Sequence, residues 1–198
     1  MPAEPTFTFR RLPALGAALL LCGVAWAASQ GATARGGTYP NYYPHAPGTH
    51  WTYSNGETQV VGPAVTHRGV RVVPVSHQFG GRTFTQDLLE YRADGSVWLR
   101  GVNTGGRLGW YAAPLNVYPP APLVPGQRWS SGSGPLTSSS AVTGVAPIEV
   151  AGRRYNALSI RAETRAGGRV SVQTAYFVPG LGVVRVETAD GGRIDLRR

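Results

Sequence analysis

Beyond Ala34 no stretch of the chain keeps a helical period of apolar positions. Segments of five to ten residues alternate instead with turn dipeptides, among them Val70-Arg71-Val72-Val73-Pro74-Val75, Ser96-Val97-Trp98-Leu99, Arg169-Val170-Ser171-Val172 and Val183-Val184-Arg185-Val186. They are rich in β-branched and aromatic side chains, which suit a pleated, half-buried surface. The pattern predicts an all-β mature protein, an antiparallel meander folded as a sandwich or an incomplete barrel.

The turns are as informative as the strands. Gly-Gly followed by Arg occurs at Gly80-Gly81-Arg82, Gly105-Gly106-Arg107, Gly167-Gly168-Arg169 and Gly191-Gly192-Arg193. Adjacent glycines supply the two positive φ angles of a type I′ turn without steric cost, so each tripeptide is expected to close one hairpin, with Asn55-Gly56 and Asp94-Gly95 as signals of the same kind. The spacing suggests two similar halves. Pro47-Gly48-Thr49-His50-Trp51 has a counterpart in Pro125-Gly126-Gln127-Arg128-Trp129, and the Gly-Gly pairs follow in the same order in each half. The expected organisation is a signal peptide over 1–27, a Gly/Tyr-rich lead over 28–42, a first β half over 43–117, a proline-rich connector over 118–122 and a second β half over 123–198.

The signal-peptide reading rests on Arg10-Arg11, the uncharged run from Leu12 to Ala28, and Ala25-Trp26-Ala27, with Ala32-Thr33-Ala34 as the second cleavage candidate. An uncleaved anchor is the alternative, but 17 residues interrupted by Pro13, Gly16 and Gly23 are short for a span of about 20. Leu21 is too bulky for a lipoprotein site at Cys22, and loss of that cysteine with the leader leaves no thiol for disulfides or nucleophilic chemistry. A secreted or periplasmic location is expected.

Charge adds a partner class. All 19 basic residues are arginine, against 10 acids, for a formal net charge of +9. They are scattered rather than striped, which argues against a nucleic-acid footprint and leaves attraction to an anionic lipid or envelope polymer. In a meander, loops two steps apart share an end, so Arg82 should lie with Arg107, and Arg169 with Arg193. Guanidinium groups around one rim could hold phosphate or carboxylate bidentately. Tyr42 and Tyr43, in a run broken by Pro40 and Pro44, are expected to be exposed and complete the candidate ligand-binding set.

Catalytic and metal chemistry finds little support. His45, His50, His67 and His77 cluster in sequence, with Glu57 and Asp87 as possible oxygen ligands, but no compact zinc spacing occurs. On strict alternation His77 shares a face with Val73, Val75 and Phe79, the setting of a hydrogen-bonded core histidine. There is no Gly-x-Ser-x-Gly elbow, no Walker loop and no dinucleotide fingerprint, and an acid pair from distant positions is the remaining hydrolytic option. No cofactor or metal is expected.

The opening Tyr43-Pro44-x-x-Pro47-Gly48-x-x-Trp51-x-Tyr53 and the close Tyr176-Phe177-Val178-Pro179-Gly180-Leu181-Gly182-Val183-Val184-Arg185-x-Glu187 resemble the two ends of a group of exported bacterial envelope proteins of uncharacterised function. The resemblance implies an exported β-domain and transfers no active site. The layout is also similar to periplasmic lipoprotein carriers, an analogy of fold alone. The expected function is an exported, non-enzymatic binding module of the cell envelope, holding an anionic amphiphile or lipid. The alternatives are a structural or adhesive protein contacting anionic surface polymers, and a hydrolase with an unrecognised acid pair.

Overall fold

A computed structural model describes residues 41–197. The expected leader and most of the Gly/Tyr-rich lead lie outside the described residues.

Thirteen strands and no helix occupy the described residues: β1 His50–Tyr53, β2 Glu57–Val61, β3 Val65–His67, β4 Val70–Phe79, β5 Arg82–Tyr91, β6 Val97–Thr104, β7 Arg107–Tyr118, β8 Arg128–Ser133, β9 Leu136–Val150, β10 Arg153–Ala166, β11 Arg169–Val178, β12 Gly182–Thr188 and β13 Arg193–Arg197. They form one antiparallel sheet in the order β7-β6-β5-β4-β2-β1-β13-β12-β11-β10-β9-β8, with β3 attached to β4. This is the incomplete barrel of the sequence reading, nearly closed and with one seam. The order consists of two runs of consecutive hairpins, β1 to β7 and β8 to β13, that meet where β1 pairs with β13.

The seam lies between β7 and β8, the two ends of the strand order. There side chains replace the backbone ladder. Ser131 Oγ accepts from the Asn116 amide at 2.8 Å, Ser133 Oγ from the Ala113 amide at 3.4 Å, and Trp129 Nε1 donates to the Val117 carbonyl at 3.2 Å. Such bonds occupy edge groups that would otherwise be open to another strand.

Register shifts at His77/Gln78, Leu88/Leu89, Ser159/Ile160 and Tyr176/Phe177 bend the sheet. The curvature turns apolar positions inward, where Leu99, Leu115, Val142, Ile160, Ala175 and Phe177 form the main core. The distal part of the β9–β10 hairpin builds a second cluster, in which Ile148, Val150 and Ala157 pack with Val184, Leu196 and Tyr53. Arg185 NH2 anchors it by donating to the Glu149 carbonyl at 2.8 Å while its Nε donates to Asp195 Oδ1 at 2.6 Å.

Three of the four Gly-Gly pairs have both residues at positive φ, as type I′ geometry requires: Gly80 and Gly81, Gly105 and Gly106, Gly167 and Gly168. The fourth departs from expectation. Gly191 alone is left-handed, and the longer turn is closed by the Thr188 amide donating to the Gly192 carbonyl and by Asp190 accepting from Thr188 Oγ1. Asn55-Gly56 and Asp94-Gly95 also close hairpins, with only the glycine at positive φ.

The opening and closing sequence motifs meet in space. Trp51 Nε1 donates to the Leu181 carbonyl at 2.7 Å, and the Tyr53 hydroxyl donates to the Val183 carbonyl at 3.1 Å. Gly182 lies at φ +101°, and a Cβ there would sit 3.3 Å from Trp51 Nε1. Gly182→Ala is therefore expected to cost about 2 kcal/mol of unfolding free energy, measured by urea titration, from combined backbone strain and crowding. Ala151, at φ +51° in the β9–β10 turn, should respond in the opposite sense: Ala151→Gly is expected to stabilise by up to about 1 kcal/mol.

Candidate functional site

Antiparallel order assigns every turn to one end of the barrel or the other. The turns after β4, β6, β10 and β12 all fall at the same end, so Arg82, Arg107, Arg169 and Arg193 share one rim. All four are exposed. They are not equivalent, because Arg193 NH2 lies 2.7 Å from Asp195 Oδ2 and is already paired. Three apolar residues that the sequence reading did not include in the candidate site lie at the same strand ends as the other three: Phe79, Leu108 and Val170 are 44%, 37% and 55% exposed. Their signal was available, since each lies one to three positions from a Gly-Gly-Arg arginine.

Tyr42 and Tyr43 belong elsewhere, and the expectation that they are exposed is wrong. Both are buried, near the opposite end of the barrel, where β7 finishes. Tyr43 stacks on Tyr118 with ring centroids 4.6 Å apart and donates its hydroxyl to the Pro119 carbonyl at 2.9 Å. The Tyr42 hydroxyl accepts from the Leu123 amide at 3.0 Å. The two tyrosines thus fasten the proline-rich connector to the core, and burial raises the Tyr43 hydroxyl above the ordinary tyrosine range. The prolines on either side do not expose the pair, because a phenol can bury its ring once its hydroxyl finds a carbonyl.

The interior holds an ionic group. His77 on β4 is 3% exposed and lies between carboxylates on the two neighbouring strands. Its Nδ1 is 2.7 Å from Glu57 Oε1 and its Nε2 is 3.2 Å from Asp87 Oδ2. With an acceptor at each ring nitrogen, both nitrogens donate and the ring is an imidazolium. Burial alone would lower the His77 pKa, but the hydrogen bonds to Asp87 and Glu57 outweigh it and raise the value to about 9. Burial likewise pushes Glu57 up, and the hydrogen bonds from His77 and Gln59 more than reverse it, leaving its carboxyl below the usual range.

Glu57 and Asp87, named from sequence beside the histidines, do converge on one of them. The other three histidines disperse: His45 stacks on Tyr91 at 4.1 Å, His67 tilts against Trp110 at 4.9 Å, and His50 is exposed. Among the described residues no group of three or more His, Cys, Asp or Glu side chains is arranged to hold a metal ion. With both nitrogens engaged, His77 has no lone pair free to act as a base.

Beside this group lies a cavity of about 110 Å³, lined by Gln59, His77 and Asp87 and by aromatic residues that include Trp51, Tyr53, Tyr91 and Tyr118. Rim and cavity carry opposite signs. The exposed arginines are positive, whereas two carboxylates around one imidazolium leave a net negative charge inside.

No family model matches the chain, and no curated protein matches it. In a comparison with solved structures the chain is similar to a Bacteroides fragilis protein described as a candidate exported protein with a YMCC-like fold, at 13% identity and a TM-score of 0.46, over 79% of this chain and 99% of that one. No helix among the described residues is long and apolar enough to cross a membrane.

The imidazolium makes stability pH-dependent with a definite sign. The His77 pKa is near 6.5 when unfolded and about 9 when folded, so its contribution is complete below pH 6.5 and is lost as pH rises through 9. The difference corresponds to on the order of 3 kcal/mol. Urea midpoints are expected to fall between pH 6 and pH 9.5 in the wild type and to show no such step in His77→Gln.

Proposed function

We propose that the protein is an exported, non-enzymatic module of the cell envelope that docks its arginine rim on anionic lipid headgroups. What supports this reading is that the turns leading into Arg82, Arg107 and Arg169 lie at one end of the barrel, and that Phe79, Leu108 and Val170, exposed apolar residues, lie at the same strand ends. Guanidinium groups bind phosphate oxygens bidentately, and neighbouring apolar tips enter the boundary between headgroups and acyl chains. A soluble polyanion rewards only the first of these features, which favours lipid over an adhesive contact with surface polymers. Export is supported by the arginine pair, apolar run and Ala25-Trp26-Ala27 of the leader.

The interior favours headgroup docking over enclosure of an acyl chain. At about 110 Å³ the cavity is well below the range of roughly 300 Å³ and above that is typical of small-molecule pockets. Its buried carboxylates also oppose an anionic guest.

Binding should be tested on vesicles containing phosphatidylglycerol, with phosphatidylcholine vesicles and a soluble anionic polysaccharide as comparators. Each arginine at an anionic surface contributes about 1 kcal/mol, so replacing Arg82, Arg107 and Arg169 with glutamine is expected to weaken vesicle binding by about 100-fold at low salt and less at high salt. Replacing Phe79, Leu108 and Val170 with serine should weaken vesicle binding while leaving polysaccharide retention unchanged. Unaltered vesicle affinity in both triple variants would overturn the reading.

A further inference from the structure

The polar groups around the interior cavity are unevenly equipped. Several donors on its wall are already used. Trp51 Nε1 and the Tyr53 and Tyr43 hydroxyls donate to the backbone carbonyls of Leu181, Val183 and Pro119. Both His77 nitrogens are engaged by carboxylates, and Gln59 Nε2 donates to Glu57 Oε1 at 3.0 Å. An acceptor remains. Asp87 lines the cavity and is 8% exposed; its Oδ1 has no hydrogen-bond partner and is itself closed to solvent in this arrangement. An unpaired carboxylate oxygen in a buried wall is a costly arrangement that a structure rarely keeps without a partner to satisfy it.

Charge points the same way. Glu57 and Asp87 contribute two negative charges and His77 one positive, and no arginine is bonded to any of the three in the described residues. A net negative charge therefore stays in a region screened little by salt. The rest of the wall combines aromatic side chains, Trp51, Tyr53, Tyr91 and Tyr118 among them, with aliphatic ones such as Leu89 and Val183, and an aromatic face carries the negative side of the ring quadrupole. A carboxylate group beside aromatic rings favours a cation with little hydration to lose.

Size limits the guest. A cavity of about 110 Å³ is somewhat smaller than the engineered cavity of about 150 Å³ that admits benzene, which leaves room for about four to six non-hydrogen atoms. We propose that this cavity is a binding site for a small monovalent organic cation, an ammonium head bearing methyl or methylene groups, held by Asp87 and the surrounding rings. An anion would meet the net negative charge of the ionic group. A strongly hydrated inorganic ion gains little from the ring faces.

The site is independent of the rim, so its test does not depend on membrane binding. Tetramethylammonium chloride is titrated into the full mature chain by calorimetry, with tert-butanol as a neutral comparator of similar shape and sodium chloride as the inorganic control. Saturable one-to-one binding of tetramethylammonium is expected below about 50 mM, with no saturable heat from tert-butanol or sodium chloride. Asp87→Asn should weaken tetramethylammonium binding at least about tenfold. If that variant does not fold, Tyr91→Leu, which removes a ring face outside the ionic group, should weaken it several-fold. Equal binding of tert-butanol would identify a simple apolar void and overturn the proposal. So would unchanged binding in a folded Asp87→Asn, or the absence of tetramethylammonium binding to the wild type.

Discussion

The whole architecture depends on a short joint between the first and last strands. Two six-stranded meanders become one barrel only because β1 pairs with β13, and that pairing spans little more than Thr52↔Arg197 and Tyr53↔Leu196. So short a ladder needs help. Trp51 and Tyr53 reach past β13 to the carbonyls of Leu181 and Val183 on the far side of the joint, and Ser54 exchanges hydrogen bonds with Asp195. Each such bond contributes about 1 kcal/mol, but the rings also bury apolar area that two ladder positions cannot. Gly182 is required at the one place where the backbone must let the Trp51 ring pass.

Closure at this joint determines what the interior can hold. With β1 and β13 drawn together and the seam tied by Ser131, Ser133 and Trp129, the core side chains fill most of the enclosed space. The remaining cavity forms where the wall changes from aliphatic to aromatic and ionic residues. The His77 group bonds across three adjacent strands, β2, β4 and β5, and thereby stiffens the sheet on that side. A buried ionic group of this kind costs desolvation that hydrophobic packing would not, and here the hydrogen bonds to His77 offset it.

Much of this was legible in the sequence, for identifiable reasons. Strand segments and their turns announce themselves locally, through β-branched residues and through glycines at positive φ, and meander geometry then assigns Arg82, Arg107, Arg169 and Arg193 to one end. Gly191-Gly192 misled because Thr188 and Asp190 offer their own hydrogen bonds and pull the chain into a longer turn. Tyr42 and Tyr43 misled because flanking prolines describe the backbone and say nothing of what the ring finds across the barrel. The convergence of Glu57 and Asp87 on His77 depends on strand register, which a bulge at His77/Gln78 alters and local patterning does not reveal. Phe79 keeps the face of His77 expected from alternation, and its exposure follows from its place as the last residue of β4, at the rim.

Opposite charge at the rim and in the interior is compatible within one small barrel because the two are screened differently. Exposed guanidinium groups interact through water and salt, and their field decays over about 8 Å at physiological ionic strength. The carboxylates around His77 act through a medium of low polarity over a few ångströms, where ring faces and an unpaired oxygen dominate. The formal charge of +9 therefore governs what the surface attracts without deciding what the cavity prefers. Sequence-level charge and site-level charge answer different questions, and in this protein they differ in sign.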